Sequence, residues 1–493
     1  MVAAQDTYST NDDVTGFNDC VSKELIDLVW GTDVQQAIFD RWSQGFIFSE
    51  NEQSALIQLE GGPCSVLTTV QAYLLKELIF CSRCTHNWRT APKDEIDVHF
   101  LNALLSIITF LSQPQQQIFI LASLEHNSQT TTIPSTTSKS NDATNSNQLS
   151  FDTFHSKIKF HHITTQPALR TFIYSHLKMW KAGYGVLLFL YSCLMTKSIQ
   201  KLIKEIDDVT SLPLIDIFHG HGSQCLTNLL ITGIATPHCF DGEKDVEGLK
   251  LHGVPSQAAI GFLSTLESLN YLEVGWHLKN PKYPLWILGS ETHLTVCFSR
   301  EKSLVESSDD GEVQRQPLET PLKRTLKIFR KYDTEKNGFI QTSALDTIID
   351  EIKEFKPITG FQLTPQSTIT NLKRKMDPDS LDIITEQAFI QELFPDEQSS
   401  NNPKKQQLKN SPLSGKPFVI YHYNGLPRSN KSNIVHYVSG EAMIGDYGYG
   451  NETSPQAMQP VVPGSYLPIT GVLRTKWATI EIRWDDDARP SLN

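Results

Sequence analysis

The sequence predicts an α+β fold into which a helical module is inserted. Apolar residues recur at helical spacing over much of residues 19–122, whereas alternating, strand-like runs come late in the chain. A second helical region, within residues 301–415, is flanked by two polar linkers. Domains tolerate insertion at exposed loops, because few contacts are broken there. We therefore predict one domain made of residues 19–300 and 416–493, interrupted by the module at 301–415.

The first part of the chain is predicted to be mostly helical. Its early helices are expected at residues 21–29, 34–44, 64–80 and 95–111, where apolar side chains line one face. Residues 1–18 are polar and acidic, without a signal-peptide core, and are expected to be disordered. Residues 128–150 are rich in Ser, Thr and Asn and are predicted to be a disordered insertion. Later helices are expected at 185–204 and after Ser223, a suitable N-cap.

The second part is predicted to supply the strands. Short apolar or alternating runs predict strands at residues 271–274, 286–288, 293–298, 418–423 and 477–484. No repeat of solenoid length is visible. These strands are expected to form the β part of the fold.

Composition excludes several classes of protein. The 493 residues carry a net charge of −12 without a basic stripe, which argues against a nucleic-acid partner. The longest apolar run, 184–195, is about half a membrane span, so no membrane association is expected. Eight unevenly spaced cysteines are typical of reduced thiols. We expect an intracellular protein of the cytoplasm, the nucleus or both.

Cys64 is the first candidate for a catalytic group. It follows Gly61, Gly62 and Pro63 and opens a predicted helix, and Pro is favoured in the first helical turn. The unpaired amides and the positive end of the helix dipole are expected to lower the thiol pKa, which favours a nucleophilic thiolate. A buried structural cysteine beside a turn is equally consistent with this spacing.

Two other residues are candidates for the same site. His293 begins an alternating strand, a position from which an imidazole can project into a cleft and act as general base. Gln58 precedes Cys64 by six residues, and its carboxamide could stabilise an oxyanion. The alternative for His293 is a hydrogen-bonded residue at a strand end.

Rival motifs are weaker. Cys225 also follows a Gly-rich loop, but it lies inside a helix where a thiol normally packs, and it has no upstream donor like Gln58. The loop itself, with His221 and Ser223, is better interpreted as a substrate-binding rim. Cys81 and Cys84, with His86 nearby, have metal-ligand spacing but no second ligand pair, so no metal site is predicted.

Together these motifs resemble the MINDY family of deubiquitinases. The resemblance covers most of residues 20–300 and 416–485 in the same order. It implies a papain-like cysteine protease core that cleaves isopeptide bonds in polyubiquitin, with a preference for lysine-48-linked chains. It also implies Cys64 as nucleophile, His293 as general base and acid, and Gln58 as oxyanion donor. Its partners would be polyubiquitin and ubiquitinated proteins.

Further roles are expected on that basis. Asn424, at a strand end, is the candidate for the group that orients His293. Gly61 and Gly62 are expected to form one wall of a narrow channel for a Gly-Gly substrate tail. The alternatives are a ubiquitin-binding scaffold with an inactive site and a calcium-dependent adaptor.

The helical module makes the chain most similar to the family branch with an EF-hand-like insert. Residues 333–344 align with a twelve-residue calcium loop: Asp333, Glu335 and Asn337 occupy ligand positions, and Gly338 occupies the turn. The twelfth position, normally a bidentate Glu, is Ala344. A second loop at residues 376–384 lacks the glycine and fits the pattern poorly. No calcium or other cofactor is therefore expected.

Overall fold

The structure is a computed structural model that describes residues 14–17, 21–81, 88–112, 117–125, 148–206, 212–246, 248–269, 271–305, 321–334, 337–354, 367–378, 381–393, 416–445, 468–485 and 490–493. The chain forms two compact units. The first comprises Met1–Glu306, Lys416–Ile444 and Ala457–Asn493, and the second comprises Ser307–Gly415 and Gly445–Gln456. The disorder predicted for residues 1–13, 18 and 128–147 falls outside the described residues.

Helices form most of the amino-terminal half of the first unit. The central helix, α3, is apolar nearly all round and buries most of its length, as expected for a helix enclosed by its neighbours. It packs against a second long helix, α4, and against α9. The helices are α1 Lys23–Trp30, α2 Gln36–Trp42, α3 Cys64–Phe80, α4 Lys93–Leu111, α5 Phe151–Ser156, α6 Gln166–Lys181, α7 Gly185–Lys197, α8 Ile199–Glu205, α9 Gln224–Thr232, α10 Thr265–Ser268 and α11 Trp276–Lys279.

A six-stranded sheet covers α3 and is the β part predicted from the sequence. Its strand order is β15-β14-β13-β10-β9-β8, and all neighbours are antiparallel except β8 and β9. Helix α3 packs on β9 and β10, which brings Cys64 to the start of β10. The strands are β8 Gly261–Ser264, β9 Leu285–Gly289, β10 Leu294–Ser299, β13 Phe418–Tyr423, β14 Tyr437–Ile444 and β15 Ile480–Trp484; helix α16, Pro468–Arg474, precedes β15.

A three-stranded sheet corrects the prediction of disorder at residues 14–17. Strand β1, Val14–Phe17, pairs antiparallel with β5, Ile158–Ile163, which also pairs with β4, Phe119–Leu124. Residues 14–17 include valine, threonine and phenylalanine, which favour strands, and an open sheet edge supplies the partner. The insertion predicted at 128–150 also ends earlier, because Ser150 caps α5 by accepting from the Thr153 N–H.

Other short strands lie in hairpins, and some predicted elements differ. The hairpins pair β2, Ile47–Phe48, with β3, Leu56–Ile57, and β6, Glu243–Val246, with β7, Leu249–His252. The strand predicted at 271–274 is absent from the described residues, since the Tyr271 N–H donates to the Leu266 carbonyl oxygen and the Val274 N–H to the Glu267 side chain. The strand predicted at 477–484 begins only at Ile480.

The helix predicted at 185–204 is broken. Ser198 has a φ of 82°, and α7 and α8 meet there at a bend of 82°. In the described part of the chain, no single helix has the length and apolarity to cross a membrane, although this bent pair passes by length and composition. Every residue of α7 except Met195 and Lys197 is buried, which accounts for its apolar sequence.

The second unit contains two similar helix–strand–helix motifs. Their short strands pair antiparallel, with Ile340 opposite Ile384, and both isoleucines lie in its core with Phe329 and Phe389. The elements are α12 Pro321–Tyr332, β11 Phe339–Gln341, α13 Leu345–Glu354, α14 Ser367–Met376, β12 Ile383–Thr385 and α15 Glu386–Leu393.

The loops of the two motifs are also alike, which corrects the poor fit predicted for the second. Asp333 accepts hydrogen bonds from the N–H groups of Asn337 and Gly338. Asp377 does the same for Leu381 and Asp382. Gly338 has a φ of 85° and Asp382 a φ of 62°, so an aspartate takes the turn position. Aspartate tolerates this left-handed conformation better than most residues, which is why the missing glycine misled the sequence argument.

Candidate active site

Cys64 begins α3, the position predicted from the sequence. Pro63 precedes Cys64 as the N-cap residue. Cys64 itself is 3% exposed. Its Sγ lies 3.8 Å from the carbonyl oxygen of Gly62, to which the thiol donates. A backbone group of Leu294, at the start of β10, also hydrogen-bonds to the sulfur. The thiol is thus held between its own loop and the strand that follows His293.

The lowered thiol pKa expected from the helix dipole is wrong for this state of the protein. Burial raises the pKa of Cys64 to about 11. Hydrogen bonds from the backbone of Leu294, Ser65 and Cys64 itself lower the pKa, but by less than burial raises it. A thiolate loses its hydration when buried, and a few amides replace only part of it. The thiol is therefore neutral.

His293 contacts Asn424, the residue expected to orient it. Its Nε2 lies 2.9 Å from Asn424 Oδ1, across a sequence separation of 131 residues. Both side chains are buried. His293 ends the loop before β10, and Asn424 directly follows β13, the neighbouring strand in the sheet. Sheet pairing therefore brings the two residues together.

The amide of Asn424 decides which nitrogen of His293 carries the proton. Asn424 Oδ1 also accepts from the Leu426 N–H at 2.9 Å, and its Nδ2 donates to the Ser491 carbonyl oxygen at 3.0 Å. A backbone N–H only donates and a carbonyl only accepts, so the amide orientation follows from this network. His293 Nε2 must then be the donor to Oδ1. In the neutral ring, Nδ1 is left as the basic nitrogen.

His293 is neutral over the physiological range. Its pKa is lowered to about 4, chiefly by burial and also by the nearby charges of His221 and Arg428, while the Asn424 hydrogen bond opposes this shift. The site therefore holds a neutral thiol and a neutral imidazole. This pair can exchange a proton without a permanent buried ion pair.

Gln58 is buried in the loop that leads to Cys64. Its Nε2 donates to the Glu60 carbonyl oxygen at 2.7 Å, and its backbone N–H donates to the Gly425 carbonyl oxygen at 2.8 Å. The second bond ties the Gln58 backbone to the turn that contains Asn424. One of the two Nε2 hydrogens satisfies the bond to Glu60, which leaves the other for a further acceptor.

The loop with His219, His221 and Ser223 packs against this site. Trp42 Nε1 donates to the Gly220 carbonyl oxygen at 2.8 Å. A Cβ on Gly222 would lie 2.1 Å from Ser65 Oγ, so only glycine allows the loop to approach the start of α3 this closely. Gly62, with a φ of 141°, faces the same Trp42 and Gly220.

Substrate-binding roles for Gly61, Gly62, His221 and Ser223 stay predictions. A Cβ on Gly61 would meet only Arg428 Nη2, at 3.6 Å. His221 Nδ1 is buried and has no hydrogen-bond partner among the described residues, and its electrostatic effect on His293 shows that the rings are near. The Ser223 hydroxyl already caps α9 by accepting from the Leu226 N–H.

Of the rival candidates, the structure describes Cys225 and Cys81. Cys225 is fully buried inside α9, as expected for a packing thiol. Cys84 and His86 lie outside the described residues. Within the described ranges, no group of three or more His, Cys, Asp or Glu side chains is placed to hold a metal ion.

Several residues near the site were not predicted. Arg428 lies beside Gly61, and its charge lowers the pKa of His293. Ser290 Oγ accepts from the His293 N–H at 3.0 Å, and Ser491 and Asn493 bond to Asn424 and Ser290. Ser290 could have been found from its place three residues before His293, where Ser commonly bonds to a following N–H. Arg428, Ser491 and Asn493 are distant from His293 in the sequence, and no motif around them indicates a place in the site.

Comparison with known proteins identifies the family. The model of the conserved domain of the deubiquitinating enzymes MINDY-3/4 matches residues 27–314, more than half of the chain. The chain belongs to the MINDY family of deubiquitinating enzymes. The resemblance predicted from the sequence motifs is thereby confirmed, and this MINDY chain is a cysteine-type deubiquitinating hydrolase whose partners are ubiquitin and ubiquitinated proteins.

Individual relatives cover nearly the whole chain. Ubiquitin carboxyl-terminal hydrolase MINDY-3 from Homo sapiens is 38% identical over 96% of this MINDY chain and 99% of its own length. The MINDY-3 homolog from Drosophila melanogaster is 34% identical over 96% of this chain and 83% of its own. Probable MINDY-4 from Mus musculus is 29% identical over 58% of this chain and 38% of its own. No solved structure matches.

Proposed function

We propose that Cys64 and His293, assisted by Gln58 and Asn424, hydrolyse isopeptide bonds of polyubiquitin within a papain-like core. One observation carries the proposal: His293 Nε2 donates to Asn424, which leaves Nδ1 as the base, one residue from the Leu294 backbone group that contacts the Cys64 sulfur. A second contact joins the same elements, since Thr68 Oγ1 donates to the Leu294 carbonyl oxygen at 3.1 Å.

The reaction follows from these protonation states. Cys64 Sγ attacks the carbonyl carbon of the ubiquitin C-terminal glycine while its proton passes to His293 Nδ1. The tetrahedral intermediate collapses when that proton passes to the departing lysine amine, and a thioester remains. Water, deprotonated by Nδ1, then hydrolyses the thioester and restores the thiol. Asn424 holds the imidazolium that forms transiently by accepting from Nε2.

The oxyanion of the intermediate needs donors in a dry site. The backbone N–H of Cys64, at the start of α3, and the second Nε2 hydrogen of Gln58 supply them in this proposal. The bond from Gln58 to Glu60 and the tie to Gly425 hold the carboxamide in place before substrate arrives. Donors fixed in advance cost no reorganisation during the reaction.

The substrate must change the surroundings of the thiol. Cys64 donates to the Gly62 carbonyl oxygen, so the substrate glycine carbonyl has to displace this contact. Gly61 and His221 are the proposed flanks of the channel for the Gly-Gly tail. The lysine-48 preference is supported by the family resemblance, and the net charge of −12 supports a partner other than nucleic acid. The thiol, imidazole and amide suffice for the chemistry without a cofactor.

The test is cleavage of a panel of linkage-defined tetraubiquitins. Wild type is expected to cut lysine-48-linked chains in preference to the others, and Cys64→Ala is expected to be inert. Gln58→Ala should lower turnover by about 10²–10³ with little loss of ubiquitin binding, because only the oxyanion donor is removed. Cys225→Ala serves as the matched control and should cleave like wild type. Cleavage that survives Cys64→Ala would exclude the proposed nucleophile.

We also propose that the second unit is an EF-hand-like pair that no longer binds calcium. The opposed isoleucines, the aspartate at the start of each loop and the positive φ at each sixth position support this proposal. The twelfth residues, Ala344 and Ala388, cannot supply a carboxylate to a cation. The described free cysteines support an intracellular location, in the cytoplasm or the nucleus.

A further inference from the structure

Residues 490–493 contact Asn424, the partner of the His293 ring, and the loop that precedes His293. Asn424 Nδ2 donates to the Ser491 carbonyl oxygen at 3.0 Å. Asn493 Oδ1 accepts from Ser290 Oγ at 2.5 Å and from Thr292 Oγ1 at 3.5 Å. We call this short segment the 490–493 clamp. It contacts both the partner of the His293 ring and the loop that precedes His293.

The contact with Asn424 determines the orientation of its amide. Because the Ser491 carbonyl takes a hydrogen from Nδ2, Oδ1 must face His293 Nε2 and the Leu426 N–H. A flipped amide would place its NH₂ group against a donor on one side and its oxygen against a carbonyl on the other. The Ser491 carbonyl, together with the Leu426 N–H, therefore favours the ring tautomer in which Nδ1 is the base.

The contact between Asn493 and Ser290 reaches the backbone of His293, because Ser290 Oγ also bonds to the His293 N–H. Ser290 Oγ has one hydrogen and two candidate acceptors, Asn493 Oδ1 at 2.5 Å and the His293 carbonyl oxygen at 3.1 Å. Whichever acceptor takes the hydrogen, Oγ keeps its lone pairs and accepts from the His293 N–H at 3.0 Å. The bond to Asn493 fixes the position of the Ser290 hydroxyl, and through it the backbone of His293.

The 490–493 clamp is held in place by the burial of Leu492 and by a turn between Ser491 and Asn493. The Leu492 side chain is 4% exposed, so the segment is docked by apolar burial between its two polar contacts. Ser491 Oγ donates to the Asn493 carbonyl oxygen at 2.6 Å and accepts from the Asn493 N–H at 3.2 Å, which closes a small turn. This turn presents the Ser491 carbonyl and the Asn493 side chain to the site.

We propose that Ser491 and Asn493 are positioning residues for the imidazole of His293. The proposal rests on the proposed function, in which His293 is the general base. Ser491 acts through Asn424, and Asn493 acts through Ser290. Neither touches the reacting atoms; together they hold the ring orientation and the tautomer that proton transfer from Cys64 requires.

The test compares Asn493→Leu with Asn493→Asp in the full chain. Leucine has a similar size but no acceptor, so kcat on a fluorogenic ubiquitin C-terminal amide should fall by about 10–10²-fold with KM nearly unchanged, because misplacement of the base affects the chemical step. Aspartate keeps the acceptor and should restore kcat to within about threefold of wild type. The exposed Asn51, changed to Leu, is the matched control and should leave kcat unchanged.

A spectroscopic readout separates positioning from loss of folding. In wild type, the Nε2 proton of His293 should give a low-field, slowly exchanging NMR signal, which is assigned by its loss in His293→Ala. Asn493→Leu should speed its exchange with water while the midpoint of thermal unfolding stays close to that of Asn51→Leu.

The outcomes distinguish this proposal from the one it rests on. Wild-type kcat and an unchanged Nε2 signal in Asn493→Leu, with Cys64→Ala inert, would overturn the clamp alone. Failure of Asn493→Asp to restore kcat would overturn the acceptor role. Activity that persists in Cys64→Ala would instead refute the proposed catalytic site.

Discussion

Single residues of the site are governed by desolvation. Cys64 and His293 both lie in surroundings that disfavour charge, so the pKa of the thiol rises and the pKa of the imidazole falls. A resting thiolate–imidazolium pair would require the pKa of the thiol to fall and the pKa of the imidazole to rise. The neutral pair is the state that this packing stabilises, and the charged groups exist only during the reaction.

The pH dependence of kcat/KM should reveal this state. His293 is the base only when unprotonated, and burial lowers its pKa to about 4. Protonation should therefore abolish activity only as the pH falls toward 4. The thiol pKa of about 11 adds no loss below pH 10, because the thiol is the reactant form. We expect a nearly flat profile between about pH 6 and 9, since kcat/KM reports groups of the free enzyme.

The measurement is kcat/KM for a fluorogenic ubiquitin C-terminal amide across that range, with thermal unfolding recorded at each pH as a control. An acidic limb with its midpoint between about pH 6.5 and 8 would contradict the neutral pair. It would show that His293 titrates close to the ordinary value for histidine.

For single residues, the sequence predicted which residues come together better than it predicted their protonation states. His293 and Asn424, selected from their strand positions, are hydrogen-bonded, and Cys64 contacts the residue after His293. Their catalytic roles stay predictions. Their pKa shifts could not be predicted, because a helix N-terminus is visible in sequence whereas the degree of burial is not. Ser491 and Asn493 were missed because nothing local marks them.

Among the elements, the 219–224 loop makes a close contact with helix α3. Gly222 lies against Ser65, the residue after Cys64, so the fit of loop and helix bears on the position of the thiol. The Ser223 cap and the bond from Gln224 to Asn228 hold the end of this loop on α9. Helix α9 in turn packs on α3.

Gly222→Ala should therefore destabilise the protein. The new Cβ would lie 2.1 Å from Ser65 Oγ and 2.8 Å from Ser65 Cβ. Overpacking of this kind costs about 1–3 kcal/mol, measured as a loss of unfolding free energy in urea. Gly183→Ala is the control, because its nearest contact would be an ordinary 3.8 Å. Adding Ser65→Gly should recover part of the loss; equal stability of the two alanine variants would refute the argument.

Element prediction succeeded where periodicity is long and local. Helix α3 and strand β13 have the predicted bounds, 64–80 and 418–423. Strand β1 was missed because residues 14–17 gain a partner only when β5 presents a sheet edge. The break at Ser198 was missed because the apolar pattern continues across it.

At the scale of the whole molecule, the two units have separate cores. The second unit buries its own apolar residues, including Phe329, Ile348 and Phe389, and its paired loops repeat the same aspartate contacts. The proposal that it no longer binds calcium depends on the twelfth position of each loop, where alanine replaces the bidentate carboxylate.

Calorimetric titration of the full chain with calcium tests this proposal. Wild type is expected to show no binding heat. The double substitution Ala344→Glu and Ala388→Glu should introduce measurable affinity, since each glutamate supplies two oxygens in a loop that already has its turn. Ala344→Gln with Ala388→Gln, which lacks the charge, is the matched control. Calcium binding by wild type would contradict the proposal.

The amino-acid sequence was sufficient for the α+β fold class, the family, the candidate residues of the site and the missing carboxylate at the twelfth loop position. These depend on local periodicity, on motif order and on which side chains are present, and all three are written along the chain. Tertiary structure alone determines the neutral thiol and imidazole, the ring tautomer and the 490–493 clamp. Those properties arise where segments at least 67 residues apart exclude water and exchange hydrogen bonds, and no local pattern records which segments will meet.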